Sequence, residues 1–250
     1  MEHVNEFDQK RRSKSGPSVQ AYARIAGLLF LLTLVFGFFG EAYVPSKVIV
    51  SVDTAATAHN IRQSDTLVRL GFACYLVEAI CDISLAWIFY VLLRPVHRDL
   101  AMLAAFFGLV STAVYAVAEL FFFAATFILR GGKALEAFSP EQLNALAMLS
   151  LKFFGYGSGL FMAFYGIATL LRGYLISRSR YLPRTLGALM IVAGTGFIAK
   201  NFALVLAPAY ASDLLLLPMF VTGLVTMVWL VTKGIDIAEW RDSSDSTTNL

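Results

Sequence analysis

The chain has 250 residues, 58% of them hydrophobic and only 15% charged, with a formal net charge of +3 and a mean hydropathy of +0.70. That balance excludes a soluble globular domain, which would need far more polar surface. The apolar residues fall in long unbroken blocks rather than ten-residue alternating strands, which excludes an outer-membrane barrel and points to membrane-crossing helices.

Helices are required because hydrocarbon offers no partner to a free backbone group. The basic stretch KRRSKS, residues 10–15, precedes an apolar run over 21–43. That run is too long for the core of a signal peptide and lacks a small-x-small cleavage site, so it reads as an uncleaved first span. A polar loop over 44–66 follows, with helix-compatible spacing after Asp53, a candidate N-cap. The second and third spans cover 67–93 and 100–129. Next comes FSPEQLNALA, residues 138–147. Ser139, Pro140 and Gln142 there have N-cap, N1 and capping-box spacing, so the fourth helix starts before its apolar span, 147–171. The fifth and sixth spans cover 182–206 and 214–231; Pro183 sits at the start of the fifth, and Pro218 is the one proline clearly inside a span. The closing RDSSDSTTNL is polar and expected to be disordered. The expected fold is thus all-α: a polytopic bundle of six transmembrane helices over 21–234, between a basic cytoplasmic tail, 1–20, and a polar cytoplasmic tail, 235–250.

Loop charge gives the orientation. With the N-terminus inside, the inner side collects Lys10, Arg11, Arg12, Lys14, Arg24, Arg94, Arg98, Arg172, Arg178, Arg180, Arg184, Lys233 and Arg241. The outer side keeps Lys47, Arg62, Arg69, Arg130 and Lys133. Both termini are therefore expected in the cytoplasm, and the chain in the cell inner (plasma) membrane. Cys74 and Cys81 are seven residues apart on one helix, about 10 Å, too far for a disulfide.

Six ionisable residues fall within the spans or at their outer ends: Glu41, Glu78, Asp82, Glu119, Lys152 and Lys200. Insertion scales put a charge at a helix centre near roughly 2.5–3.5 kcal/mol, so these groups should face the bundle interior and pair. All six count from the midplane outward. Residues three or four apart share a helix face. The resulting stripes are Thr33–Gly37–Glu41, Tyr75–Glu78–Asp82, Ser111–Tyr115–Glu119, Lys152–Tyr156–Gly159, and Gly196–Lys200 with Asn201 beside it. Acids outnumber lysines four to two in this set, so mutual pairing leaves two acids over.

No catalytic signature is present. The three histidines lie outside the spans, so neither a His-carboxylate metal site nor a serine-histidine pair forms there. GYGSG, residues 155–159, lies inside a span and not after a strand, so it is no phosphate loop. Gly155 and Gly159 have the GxxxG spacing of a close helix contact, which makes helix four a candidate oligomer seam. The inner basic residues are explained by orientation, so no nucleic-acid partner is expected, and no cofactor or metal.

The strings AYVPSKVIV (42–50), DTAATAHNI (53–61), FSPEQLNALA (138–147), LRGYLI (171–176) and especially LAPAYASDLLLLPMF (206–220) resemble a bacterial multi-pass membrane family, domain of unknown function 4386, over roughly residues 20–240. CDISLA, AVAELF and LSLKFFGYG are similar to family segments and carry Asp82, Glu119 and Lys152, with Glu78 just before the first. The resemblance implies an inner-membrane protein of about six helices and supplies no reaction. The expected function is an outward-facing polar pocket of Glu41, Glu78, Asp82, Glu119, Lys152, Tyr156, Lys200 and Asn201 that binds a small molecule or lipid head group. The alternatives are a proton- or cation-coupled small-molecule transporter and a structural polar cluster without a ligand.

Overall fold

The computed structural model describes residues 18–51 and 53–248; the basic stretch 10–15 lies outside them. In chain order, α1 covers Val19–Val48, α2 Thr54–Gln63, α3 Asp65–Leu93, α4 Arg98–Arg130 and α5 Pro140–Arg178. They are followed by α6 Arg184–Leu206, α7 Leu217–Thr232 and α8 Ile237–Thr248. Six spans are long and apolar enough to cross a membrane: α1, α3, α4, α5, α6, and α7 together with the 3-10 turn Asp213–Leu216 that leads into it. Among the described residues there is no strand.

The starts follow the local chemistry. Asp53 Oδ1 accepts the Ala56 N–H at 2.8 Å and begins α2. At α5, Ser139 Oγ accepts the Gln142 N–H at 3.3 Å and Gln142 Oε1 accepts the Ser139 N–H at 2.8 Å, the reciprocal capping box. From there α5 runs 39 residues, about 58 Å at the helical rise, nearly twice a hydrocarbon core. It therefore continues past the apolar block at both ends.

The six spans form a closed ring in chain order: α1 packs on α3, α3 on α4, α4 on α5, α5 on α6, α6 on α7, and α7 back on α1. A lighter contact between α3 and α5 divides the ring. On one side lies a three-helix wedge, α3–α4–α5. On the other, α1, α3, α5, α6 and α7 enclose a wider interior.

The seams rely on glycine. Gly166 faces the Gly194 carbonyl and Gly173 faces that of Gly187; a Cβ on either α5 glycine would sit within 2.9 Å of that oxygen. These two pairs, seven residues apart on each helix, let the α5 and α6 backbones touch. Gly157 packs its backbone on Ala118 of α4. Within the chain the two glycines of the GxxxG pair differ: Gly155 meets nothing within 4 Å, while Gly159 abuts Asn201.

Both ends are closed. Where the described chain begins and ends, Phe89, Leu92, Leu93, Leu175, Ile176, Leu186 and Leu230 form a dry core. Of the segment expected to be disordered, residues 249–250 lie outside the described residues, and 241–248 are helical there as part of α8. Asp236 Oδ1 caps its first turn, and Trp240 Nε1 donates to the Leu92 carbonyl at 3.0 Å, beside Tyr181 Oη at 2.8 Å. An indole anchored on a helix-end carbonyl outweighs the polarity of the residues after it. At the opposite end α2 lies over α4 and α5. Its Arg62 donates to the Leu129 carbonyl at 3.2 Å and to Asn144 Oδ1 at 3.0 Å, over a second core of Val44, Val48, Ile61, Phe122 and Leu151.

One span is irregular. Within α1, Phe38–Tyr43 is a π turn, closed by the Val44 N–H on the Phe39 carbonyl. Pro45, assigned to a loop by the sequence, continues the helix as part of Val44–Val48. It has no N–H, so the turn before it loses a helical donor and widens.

Replacing Gly194 with leucine should force α5 and α6 apart and lower stability in detergent by at least about 1–3 kcal/mol, whereas Gly155→Ala should leave the melting temperature unchanged. Equal melting curves for the two variants would remove the glycine seam as a determinant of the fold.

Candidate functional site

The stripes of α1, α3 and α4 converge inside the ring. Glu78 and Glu119 are buried, at 8% and 4% exposure, and Glu41 and Asp82 are partly buried. Glu41 leaves the π turn of α1 and comes within hydrogen-bonding reach of both Glu78 and Tyr115. Tyr115 reaches Glu119, one turn along α4. Gly37 makes room for this: a Cβ there would lie 2.7 Å from Glu78 Oε1. The Glu78 carboxyl occupies the space of a side chain that α1 lacks.

One turn along α3, Asp82 faces Thr33 of α1 and the guanidinium of Arg172. Arg172 is only 5% exposed. Its carbon lies 5.3 Å from the Phe89 ring centre and 6.0 Å from that of Tyr165. It comes within hydrogen-bonding reach of the Tyr165 hydroxyl. A Cβ on Gly108 of α4 would fall 2.7 Å from its Nη2. The seat thus consists of two aromatic faces, a phenol and a missing side chain. Among the described residues no carboxylate lies within 4 Å of it, whereas Asp65 pairs with Arg69 and Arg130, and Lys200 with Asp213.

The result is a column. Arg172 packs on Phe89; Asp82 lies two turns on along α3, and Glu78 and Tyr75 follow at the next turns, about 21 Å of helix from Phe89 to Tyr75. Glu41 and Glu119 flank the far part. An aromatic ladder runs beside it: Tyr75 packs edge-on to Tyr115 at 5.1 Å, and Tyr115 stacks on Phe161 at 4.5 Å. Phe161 meets Tyr165 at 5.8 Å, and Tyr165 packs edge-on to Phe197 at 5.7 Å.

Beside Arg172 the wider part of the ring contains a cavity of about 70 Å³, lined from α1, α5, α6 and α7. That volume suits a few waters or one small polyatomic group. Thr33 Oγ1, Thr169 Oγ1, Thr226 Oγ1 and Arg172 Nε belong to lining residues, are buried, and have no hydrogen-bond partner. Thr169, Thr226 and Arg172 are 7%, 0% and 5% exposed. Unsatisfied buried polar atoms are rare and costly, about 1–3 kcal/mol each. Four of them on one cavity are a concentrated exception.

The sequence-selected lysines are elsewhere. Lys200 pairs with Asp213 at 2.7 Å. Its stripe-mate Gly196 lies against the Leu215 carbonyl, so this face of α6 holds the 207–216 connection. Lys152 and Tyr156 are exposed on the outside of α5. Asn201 is buried, with Nδ2 donating to the Phe197 carbonyl at 2.8 Å. With Tyr156 it lines a separate, mostly apolar cleft of about 280 Å³ between α5 and α6. The carboxyls therefore do not pair with lysines, and their cation is Arg172. The sequence had assigned Arg172 to an inner loop because the apolar block stops at Leu171. Applying the same spacing rule one turn further would have found Tyr165–Thr169–Arg172, and Thr222–Thr226 on α7.

The fold and interior define a polytopic helical membrane protein with a charged axial column. The family model described as Domain of unknown function (DUF4386) matches residues 25–234, and the chain belongs to that family. It is similar to an uncharacterized protein of Archaeoglobus fulgidus, 30% identical over 160 residues that cover 64% of this chain and 81% of the relative. No solved structure matches the chain.

Gly37→Ala should cost about 1–3 kcal/mol by displacing the Glu78 carboxyl. Most of that loss should vanish in a Glu78→Ala background. The same cost in both backgrounds, read from thermal melts, would show that Gly37 does not seat this carboxyl.

Proposed function

We propose that this protein binds a small polar molecule inside its helical ring, with an acceptor group of the ligand, a carboxylate or comparable oxyanion, held in the cavity beside Arg172. The observation that carries the reading is that Arg172, whose Nε is unpartnered, and three threonines with unpartnered hydroxyls line one cavity. Arginine is the side chain best matched to an oxyanion, and the hydroxyls donate as well as accept. The cavity volume favours a small anion or the acidic end of a small molecule over a whole lipid head group. Asp82 across from Arg172 keeps the guanidinium from being an uncompensated charge before the ligand enters.

The protein is multi-pass, and the excess of Lys and Arg on the loops at the end holding the termini supports a cytoplasmic placement of both, in the inner membrane. A second reading, a proton- or cation-coupled carrier, is favoured by the carboxyl column that continues from the cavity through Asp82 and Glu78 to Glu41 and Glu119. Intramembrane acids commonly form such relays.

Purified protein melted against a panel of small carboxylates and inorganic phosphate should be stabilised by at least one, by about 2.7 kcal/mol at a hundredfold excess over its dissociation constant. Thr226→Val, close to isosteric, should fold and lose most of that gain; stabilisation that survives Thr226→Val together with Thr169→Val would sink the assignment. If proteoliposomes also move that ligand only with a proton gradient, the carrier reading replaces simple binding. For orientation, a cysteine at Ser139 should react with a membrane-impermeant label on intact cells, and reaction only after lysis would invert the topology.

A further inference from the structure

The far half of the column is separate from the Arg172 cavity and has its own unsatisfied atoms. Glu41 Oε1, Glu78 Oε2 and the Tyr75 hydroxyl are buried without a hydrogen-bond partner. Tyr75 is 3% exposed and Glu78 8%. Tyr75 shares a helix face with Glu78, and its buried hydroxyl stands in the field of Glu119, Glu78, Asp82 and Glu41. Glu41 and Glu78 reach each other directly. An ionised carboxylate only accepts hydrogen bonds, so a bond between two carboxyl groups needs a proton on one of them. Gly37 leaves the Glu78 carboxyl room beside α1, and the π turn lies on the segment that carries Glu41.

We propose that Glu41 and Glu78 form a proton-binding site, one proton held between two carboxyl groups with the Tyr75 hydroxyl beside them, exchanging with water. The ionisable groups facing it come from every side. On α3 they are Asp82 and Tyr75, on α4 Tyr115 and Glu119, and on α5 Tyr165 and Arg172. Arg172 is the single cation among them, and it faces Asp82. Lys200 of α6 is held by Asp213, and Arg62 of α2 by Leu129 and Asn144. Among the described residues no group of three or more acidic, histidine or cysteine side chains could hold a metal ion. A proton needs no coordination sphere and fits without a cavity. This inference does not rest on the ligand reading above.

The test is infrared spectroscopy of the reconstituted protein, following the carbonyl stretch of a protonated carboxyl group as pH is varied. The wild type should show this band near neutral pH. It should shift when glutamate labelled with heavy carbon at the side-chain carboxyl is incorporated, a readout that needs no variant. Glu78→Gln and Glu41→Gln should each lose the band, and Asp82→Asn should retain it. Absence of the band across the pH range, or a band that ignores the glutamate label, overturns the proposal. So does a band that survives both glutamine variants. A band abolished at fixed pH by sodium but not by potassium or choline also overturns it, because the occupant would then be a metal cation.

Discussion

The structure depends on how one guanidinium is kept inside a membrane-spanning ring. A charged arginine on a lipid-facing helix centre is expensive on any scale. Arg172 is buried at the interior instead, and each neighbour offsets part of that cost: the faces of Phe89 and Tyr165, the Tyr165 hydroxyl and the Asp82 carboxyl. Gly108 adds room to this seat, because a Cβ there would lie 2.7 Å from Nη2 and displace the guanidinium. The seat requires α3, α4 and α5 to meet at one level. They meet because consecutive helices pack on one another and the last closes on the first.

Ring closure explains the division between glycine and aromatic residues. The α5–α6 seam runs backbone to backbone through two glycine pairs, so it holds without side-chain volume at that face. The adjoining interior is then filled by the aromatic ladder from Tyr75 to Phe197. Apolar cores at both ends leave the polar column enclosed. Enclosure is what gives the polar atoms their energetic weight, since an unsatisfied group exposed to water costs little.

Much of this was legible in the sequence because membrane helices announce themselves by length. Six apolar blocks gave six spans, and Asp53, Ser139 and Gln142 gave helix starts that their side chains make directly. The three stripes bearing Glu41, Glu78, Asp82 and Glu119 could be drawn from helical spacing alone, since each lies on one helix. Their cation could not. Hydropathy ends the fourth block at Leu171, but hydrogen bonding continues α5 to Arg178, so a residue counted as a topological signal is an interior one. Lys200 misled for the opposite reason: nothing local reveals that Asp213, thirteen residues on and across a turn, folds back to it. The same holds for Trp240, whose partner is the carbonyl of Leu92.

The π turn of α1 ties these levels together. Pro45 withdraws a donor from the backbone, and the preceding turn widens in response. That local defect lies on the segment that carries Glu41, and Gly40 within it lets α1 approach the Gly71 carbonyl of α3. Close approach of α1 to α3 is what brings Glu41 to Glu78, and Gly37 one turn earlier leaves the Glu78 carboxyl its place. A regular helix with a side chain at either glycine would hold the two carboxyls apart, and each could then find a separate partner. The irregular backbone therefore concentrates acid in one spot, and it does so on the far side of Asp82 from Arg172.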